Sequence, residues 1–371
     1  TKLDDYTEAL AAYQEALHLA WQMRHRVKGA NALARIGRVE TQRGQYAHAS
    51  RHFEAALRLY EERGDRKGVA TVCLALGKMF WLKSNHKEAL HSFRKSERLY
   101  SELDDKLGLA EVADAVASLQ YDRGDLTLAE RYYKRALRHR RALGDQIGVT
   151  SSLNNLGAAW LSQGKSSEAI TVWTEAMNLA TVLGQRVLKG VIAGNLGEVY
   201  LGLQEFESAK THLDNALAWA TEADNPRAAA DIHLNRASLF LQTKEYPRAE
   251  IELEVAKGIS KSLALPRLDG MVERAFGDHV MTVARDNDRG QNRALRKAIK
   301  HYRKSVDYFA DASCDLQNAL SRERIADLLQ LSGQQEDAEL EREVAASLRN
   351  AANPGAQDVP DESLSEGSLD H

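Results

Sequence analysis

A pattern of small and large residues that repeats every 40 positions constrains the fold of this chain more than any other feature of its sequence. Counting in steps of 40 from Gly157, each repeat has a small residue at the same place. In the first six repeats, Ala follows it 12 positions later and a large side chain comes 4 positions after that Ala. A fixed period near forty with this signature predicts a helical solenoid, in which each repeat is a pair of helices. The small residues are Gly37, Gly77, Ala117, Gly157, Gly197, Ala237 and Gly277; the alanines are Ala49, Ala89, Ala129, Ala169, Ala209 and Ala249; the large residues are Phe53, Phe93, Tyr133, Trp173, Leu213 and Leu253.

The repeat around Gly157 shows how such a pair is expected to pack. Residues 149–163 are predicted as its first helix and residues 166–183 as its second, since apolar residues recur there at three- to four-residue spacing. Gly157 on the first helix and Ala169 on the second leave room for a close approach. A large side chain at Gly157 would overpack this contact, at a cost of about 1–3 kcal/mol. Because one pair cannot bury its apolar face alone, neighbouring pairs are expected to stack.

The residues of this repeat resemble the tetratricopeptide repeat, a helix pair whose usual period is 34 residues. The Pro that normally ends the second helix is absent here, so the second helices are expected to continue further. The longer unit resembles Leu-Gly-Asn-repeat adaptors, kinesin light chains and the helical sensor regions of bacterial regulators. The resemblance implies an all-α fold, a right-handed superhelical solenoid of antiparallel helix pairs. The residues that carry it are Leu153, Leu156, Gly157, Trp160, Ala169, Trp173 and Ala176, and those that stand in place of the Pro are Glu61, Ser101, Arg141, Thr181 and Thr221.

The sequence divides into three parts. Residues 1–26 read as the second helix of a truncated repeat, and residues 27–350 as eight helical pairs with a polar insertion at 285–292. Residues 351–371 contain five acidic residues and no Lys or Arg, and their low apolar content predicts a disordered acidic tail. The first residue is not Met, which indicates a piece of a longer chain, and the open half-repeat is expected to favour self-association. The pairs are anchored near residues 37, 77, 117, 157, 197, 237, 277 and 326.

Composition and motifs favour a binding protein over an enzyme. Of the 371 residues, 43% are hydrophobic and 28% charged, and the formal net charge of −3 does not favour nucleic acid as the main ligand. No apolar run is long enough to span a membrane and no signal-peptide pattern is present. Cys73 and Cys314 lie far apart, which predicts no disulfide and a reducing, cytoplasmic location. His48 and His52 alone would make an incomplete metal site, and no phosphate-binding or Cys–His motif occurs, so neither a cofactor nor a metal is expected.

In the families that this chain resembles, the first helices line a concave groove. The positions that face such a groove hold Asn154, Asn155, Asn195 and Asn235 in the middle of the chain. An Asn amide offers two donors and an acceptor, so a ladder of them grips the backbone of an extended peptide independently of its sequence. The resembling families use Asn at the matching position in this way. The alternative is that these amides bond neighbouring helices or water.

Charged and aromatic residues share the same predicted groove. Its N-terminal part is predicted to be positive and its later part more acidic, which would fix the direction of a bound ligand. Tyr121 is predicted as an aromatic anchor, although packing between repeats would also explain it. A carboxylate clamp is not predicted, because Ala75, Ala115 and Ala275 stand where it would need Asn or Arg. The positive residues are Arg35, Arg38 and Lys78, and the acidic ones are Asp114, Glu198 and Asp231.

A basic cluster, Arg131 to Arg141, falls on one second helix. Such a cluster suits nucleic acid, an anionic membrane or an acidic partner. Second helices face outward in the resembling families, and no aromatic platform alternates with the charges. The cluster is therefore interpreted as a solvated helix face.

The sequence as a whole predicts a non-catalytic protein–protein interaction scaffold. We expect it to bind an extended or helical peptide segment of a protein partner in the concave groove, as the interaction or sensor region of a larger regulatory protein. Neither nucleic acid nor a membrane is expected as a partner. Two alternatives remain open at this level: a signal-peptide receptor of bacterial quorum-sensing type, and the regulatory region of a fused kinase or signalling ATPase. An architectural role, with the groove filled by the acidic tail, is a further alternative.

Overall fold

The computed structural model describes the backbone of residues 2–287, 291–312 and 314–352, with side chains except at 2–5, 287 and 352. Across these ranges the chain is all-α, as the sequence predicts: it forms 17 helices and no strand. The helices are α1 (Lys2–Gln22), α2 (Arg26–Gln42), α3 (Tyr46–Glu62), α4 (Arg66–Leu82), α5 (His86–Glu102), α6 (Lys106–Asp122), α7 (Leu126–Leu143), α8 (Gln146–Ser162), α9 (Ser166–Val182), α10 (Arg186–Gly202), α11 (Phe206–Glu222), α12 (Pro226–Gln242), α13 (Tyr246–Leu263), α14 (Pro266–Asn287), α15 (Gln291–Asp311), α16 (Asp315–Leu331) and α17 (Gln335–Ala352).

The helices associate as pairs within two compact units, residues 1–176 and residues 177–371. Connections of two or three residues join consecutive helices, and such short connections make neighbours antiparallel. In the first unit α2 packs on α3, α4 on α5 and α6 on α7, and each pair also packs on the next. In the second unit the same holds for α10 with α11, α12 with α13, α14 with α15 and α16 with α17. Each unit is thus a solenoid built from helix pairs.

The small residue of each repeat faces the large one, as the spacing predicts. A Cβ atom placed on Gly157 would lie 2.5 Å from the indole Nε1 of Trp173, and one placed on Gly37 would lie 2.8 Å from the ring of Phe53. Both rings are buried, so the close approach of the two helices depends on the missing Cβ. The predicted small–large contact is confirmed. The large residues of the pattern, all buried, are Phe53, Phe93, Tyr133, Trp173, Leu213 and Leu253, and the fully buried alanines are Ala49, Ala89, Ala129, Ala169, Ala209 and Ala249.

The helices end at a regular interval that the sequence reading did not separate from the 40-residue period. From Arg24 to Ala264 a residue with positive φ follows a helix end once every 20 residues. The next helix then begins with a side-chain cap: Asp105, for example, accepts the backbone N–H of Gly108 at 3.0 Å. Each turn therefore stops one helix and starts the next. The positive-φ residues are Arg24, Gly44, Gly64, Ser84, Asp104, Gly124, Gly144, Gly164, Gly184, Gln204, Asp224, Lys244 and Ala264, followed later by Gly333.

Several boundaries differ from the sequence prediction. Helix α1 ends at Gln22, and Arg26 already begins α2. In the predicted polar insertion, residues 285–287 continue α14 and residues 291–292 begin α15, while residues 288–290 lie outside the described part of the chain. Residues 353–371, the bulk of the predicted tail, also lie outside it. None of the described helices has both the length and the apolar content needed to cross a membrane.

Candidate functional site

A groove of about 680 Å³ opens in the first unit. Helices α2, α4 and α6, the first helices of three successive repeats, supply most of its lining, and α1, α3 and α7 contribute single residues. Apolar and charged side chains lie side by side in it, which suits a ligand with both kinds of group. The apolar lining includes Val39, Phe53, Leu74, Ala75, Trp81 and Ala115; the charged lining consists of Arg38, Lys78, Glu111, Asp114 and Arg140.

Lys78 is a cation in this groove without a counter-ion. Its side chain is exposed to the groove, and no carboxylate of a described residue lies within 4.0 Å of its ammonium group. The surrounding protein lowers the pKa of Lys78 by desolvation, while the charge of Glu111 acts in the opposite direction and that of Arg38 adds to the lowering. A bound anion would therefore stabilise the charged form of this lysine.

Asp114 and Arg140 form a buried ion pair beside Lys78 in the lining. The guanidinium Nη2 of Arg140 lies 2.7 Å from Oδ2 of Asp114, and the hydroxyl of Ser152 donates to Oδ1 at 3.1 Å. Only 11% of the Arg140 side chain and 17% of the Asp114 side chain are exposed. Burial raises the pKa of Asp114 to about 6, although Arg140, Ser152 and Lys78 all favour its charged form. The groove thus contains a carboxylate that changes charge close to neutral pH.

Arg140 is a lining residue that the sequence reading assigned to a solvated helix face, and for this residue that interpretation is wrong. The same position of the two preceding repeats holds Tyr60 and Tyr100, whose hydroxyls reach back to the first helix of their own repeats. Tyr60 donates to Oδ1 of Asn31 at 2.5 Å, and the Tyr100 hydroxyl lies 2.9 Å from the Thr71 hydroxyl. Arg140 follows the same inward path. The change from Tyr to Arg in an otherwise periodic position was the available sequence signal.

The comparison with known families decides the identity of the fold. A tetratricopeptide-repeat model matches residues 29–102 and 108–181, and a second model of the same repeat matches residues 195–263. These segments cover more than half of the chain. The chain belongs to the tetratricopeptide-repeat (TPR) family. No curated protein matches this TPR chain.

Solved structures of other TPR proteins are similar in fold. A Rap protein complexed with competence and sporulation factor is 12% identical and has a TM-score of 0.63, over 95% of this chain and 98% of that one. The apo form of the quorum sensor NprR from B. thuringiensis is 14% identical with a TM-score of 0.60, over 94% and 100%. A Signal Transduction ATPase with Numerous Domains from Pyrococcus horikoshii, with a TPR sensor, is 18% identical with a TM-score of 0.63. That match covers 83% of this TPR chain and 46% of the ATPase.

The first unit places the remaining predicted residues at different points of its surface. Arg38, Lys78 and Asp114 line the groove. Arg35 is exposed and its guanidinium carbon lies 5.6 Å from the centre of the Tyr13 ring. The hydroxyl of Tyr121 lies 2.9 Å from that of Ser162, so this tyrosine links two neighbouring first helices, α6 and α8, of the TPR protein. The groove lining and the predicted residue set therefore overlap only in part.

Asn154 and Asn155 are half-buried and bonded to each other, the amide of Asn154 donating to Oδ1 of Asn155 at 3.3 Å. The backbone carbonyl of Asn154 also accepts the indole N–H of Trp173 at 3.0 Å. These contacts orient the first amide of the predicted ladder from within the repeat. Neither residue lines the groove around Lys78.

The second unit contains the other predicted residues. Asn195 and Asn235 are half-buried on α10 and α12, and Glu198 is exposed. Asp231 pairs with Arg227 at 3.3 Å. Burial raises the pKa of Glu198 and the charge of Asp231 adds to this, so the two carboxylates form an acidic patch. The acidic character predicted for these later positions is present in this unit.

Proposed function

We propose that this TPR protein is a non-catalytic scaffold that binds an extended or helical peptide segment of a partner protein in the groove of its first unit. In this proposal the chain is the interaction or sensor region of a larger regulatory protein. The observation that carries the proposal is Lys78, a desolvated cation that lies in a groove of about 680 Å³ with no counter-ion among the described residues. A ligand carboxylate at this position would supply the missing partner.

The lining indicates the chemistry of the peptide. Arg38 and Lys78 lie at successive first helices and attract acidic side chains, whereas the charge of Arg140 is already compensated by Asp114. Leu74 is buried next to them and offers an apolar contact. A peptide with an acidic residue beside a large apolar residue fits this arrangement.

The Asn residues extend the proposal to the peptide backbone. Asn155, Asn195 and Asn235 stand at the same position of three successive first helices. Each is half-buried, so part of each side chain remains accessible. We assign them to backbone hydrogen bonds with a bound segment, since amides at a regular spacing match the regular spacing of peptide groups.

A signal-peptide receptor is the second candidate function. It is favoured by the similarity in fold to a Rap protein complexed with competence and sporulation factor and to the quorum sensor NprR. The similarity to the TPR sensor of a signalling ATPase favours a related arrangement, in which this chain regulates a fused enzyme. In both cases the groove of the first unit receives the ligand.

The proposal is tested by selecting peptides from a random phage-displayed library on this chain and measuring their affinities by titration calorimetry. The double variant Arg38→Glu and Lys78→Glu should weaken the selected peptides by about tenfold or more, because each reversal turns attraction into repulsion. The matched control is Arg43→Glu with Lys83→Glu. These residues are exposed and follow the ends of the same two helices, so the net charge changes equally.

Equal losses in the groove variant and the control variant would contradict binding at Lys78, as would a library from which no peptide is enriched. The Asn assignment has its own test, the triple variant Asn155→Ala, Asn195→Ala and Asn235→Ala. Weaker binding with unchanged helicity and melting temperature would support backbone recognition by these amides. Unchanged affinity would make the Asn residues purely structural.

A further inference from the structure

A second pocket of the first unit lies away from the groove, between the second helices α7 and α9 with α8 beneath them. Its volume is about 560 Å³, within the usual range of about 300–1,000 Å³ for ligand sites. We call it the α7 pocket. Its apolar lining is Leu137, Leu153, Leu156, Trp160 and Val172, and its charged lining is Arg131, Lys134, Arg138, Arg141 and Glu175.

The four cations of the α7 pocket come from one face of α7. They follow each other at spacings of three and four residues, which places them in a row along the helix. The other second helices do not repeat this row. The same positions of α3 hold Arg51, Glu54, Arg58 and Glu61, and those of α9 hold Thr171, Thr174, Asn178 and Thr181.

Two of these cations are without a counter-ion in the part of the chain that the structure describes. Lys134 pairs with Glu130 at 2.6 Å and Arg141 with Glu175 at 2.6 Å. Arg131 and Arg138, both exposed, have no such ion pair. The pocket wall therefore has an excess of positive charge.

The neighbouring His139 reports the same excess. Burial lowers the pKa of His139, and the charges of Arg135, Arg138 and Lys106 lower it further, whereas Glu97 alone opposes them. A positive field of this kind attracts an anionic ligand.

The floor of the α7 pocket requires a ligand with an apolar part. Leu153 and Leu156 are buried there with exposures of 0% and 2%, and Val172 has 8%. Trp160 is half-buried and lies under Lys134, whose Nζ is 5.3 Å from the ring centre. A branched or aromatic side chain entering the pocket would contact these residues and exclude water from them.

We infer that the α7 pocket is a docking site for an acidic segment of a partner protein that carries one large apolar side chain. The carboxylates pair with Arg131 and Arg138, and the apolar side chain packs on Leu156 and Trp160. Protein fits this site better than nucleic acid, because most of the floor is aliphatic and the cations form a short row on a single helix. This site is separate from the groove at Lys78 and does not depend on the function proposed for it.

The test uses a short fluorescein-labelled peptide of Asp and Glu with one central Leu, and fluorescence anisotropy as the readout. The wild-type chain should bind it, more weakly at high salt, and the double variant Arg131→Glu with Arg138→Glu should lose about tenfold or more in affinity. The control is Arg51→Glu with Arg58→Glu, which makes the same charge change at the same exposed positions of α3. Circular dichroism confirms that both variants are folded.

A second arm replaces the central Leu of the peptide by Ala, which should weaken binding to the wild-type chain because the floor is no longer covered. Three results would overturn the inference. One is an equal loss of affinity in the α7 and α3 variants. Another is equal affinity for the Leu and Ala peptides. The third is competition by a single-stranded oligonucleotide of the same charge as effective as that of the unlabelled peptide.

Discussion

At the scale of single residues, Asp114 shows how burial sets the charge of the groove. Its carboxylate lies 2.7 Å from the guanidinium of Arg140, which alone would keep it ionised. Burial is the larger effect, and it raises the pKa of Asp114 to about 6. Below that pH the pair becomes a neutral acid beside a free cation, and the groove gains one positive charge.

We expect this titration to appear in ligand affinity. An acidic peptide selected on the groove should bind more tightly as the pH falls from about 7.5 to about 5, because Asp114 takes up a proton while Arg140 keeps its charge. The variant Asp114→Asn should bind with little change over this range. Calorimetric titrations at several pH values measure the effect, and an identical pH dependence in the two proteins would contradict it.

Gly157 is a second residue whose role is decided by its immediate contacts. The variant Gly157→Ala should destabilise the chain by about 1–3 kcal/mol, because its Cβ would meet the buried indole of Trp173. Gly258→Ala is the matched control, since Gly258 lies within α13 with no atom within 4 Å of its added Cβ. That change should stabilise the chain by up to about 1 kcal/mol.

Urea unfolding followed by circular dichroism compares the two glycine variants. The expected result is opposite signs for the same chemical change. Similar effects at both positions would show that the intrinsic helix propensity of Ala, and not the contact with Trp173, decides the outcome.

The sixth repeat explains two polar residues that interrupt its sequence pattern. His233 and Arg236 occupy a face that apolar residues fill elsewhere, and both bind the buried carboxylate of Glu252. His233 Nδ1 lies 2.5 Å from Oε2 of Glu252, and Arg236 Nε donates to Oε1 at 3.0 Å. The irregular positions are thus compensated by one another across the helix pair.

At the scale of helices and turns, the 20-residue spacing of helix ends depends on one backbone conformation. Seven of the thirteen regularly spaced turns hold a positive φ without Gly, among them Gln204 with a φ of 61°. A side chain in this conformation costs roughly 1 kcal/mol relative to Gly. These turns persist because the helices on both sides are held by packing.

Gln204→Gly should therefore stabilise the chain by about 0.5–1 kcal/mol, since it removes the strain at a turn. The control Lys210→Gly lies on the exposed face of α11 and should destabilise by about 1 kcal/mol. Thermal or urea unfolding distinguishes the two. A destabilising Gln204→Gly would mean that the flexibility which Gly adds to the unfolded chain outweighs the strain that it relieves.

At the scale of the whole molecule, each unit contains buried carboxylates whose pKa values are lowered by cations. Burial raises the pKa of Glu130, but hydrogen bonds from Lys134, Trp160, Lys165 and Gln163 outweigh burial and lower it to about 2. In the second unit, Glu252 and Glu273 also have lowered pKa values: burial raises both, and the pairs with His233 and His301, reinforced by other charges, outweigh it.

Lowered folded-state pKa values predict a loss of stability in acid. These carboxylates bind fewer protons folded than unfolded, so their contribution is complete above about pH 4.5 and disappears as the pH falls towards about 2. The raised pKa of Asp114 has the opposite sign and acts at higher pH, between about 4 and about 6. The melting temperature should therefore fall steeply only below about pH 4.5.

The variant Glu130→Gln, Glu252→Gln and Glu273→Gln tests this assignment. It should be less stable than the wild-type chain near neutral pH, by about 1–3 kcal/mol, and should show a smaller decrease of melting temperature in acid. Differential scanning calorimetry between about pH 2 and pH 7 provides the comparison. Parallel curves for both proteins would assign acid lability to other groups.

The amino-acid sequence by itself determined the all-α class, the helix pairs and the contact of each small residue with its large partner. These follow from local spacing: Gly157 and Trp173 are 16 residues apart, within one helix pair, so the period alone brings them together. The predicted basic and acidic positions Lys78 and Asp114 also lie in the groove for this reason.

The tertiary structure alone decided which charges are compensated and where the pockets lie. Arg140 pairs with Asp114 of the preceding first helix, and Arg131 stands at a pocket formed by three helices. Such contacts depend on side-chain directions and on the distance between helices, which the 40-residue pattern does not specify. Burial and neighbouring charge then set the pKa of Asp114 and leave Lys78 without a counter-ion, so the chemistry of the groove arises only after the helices have packed.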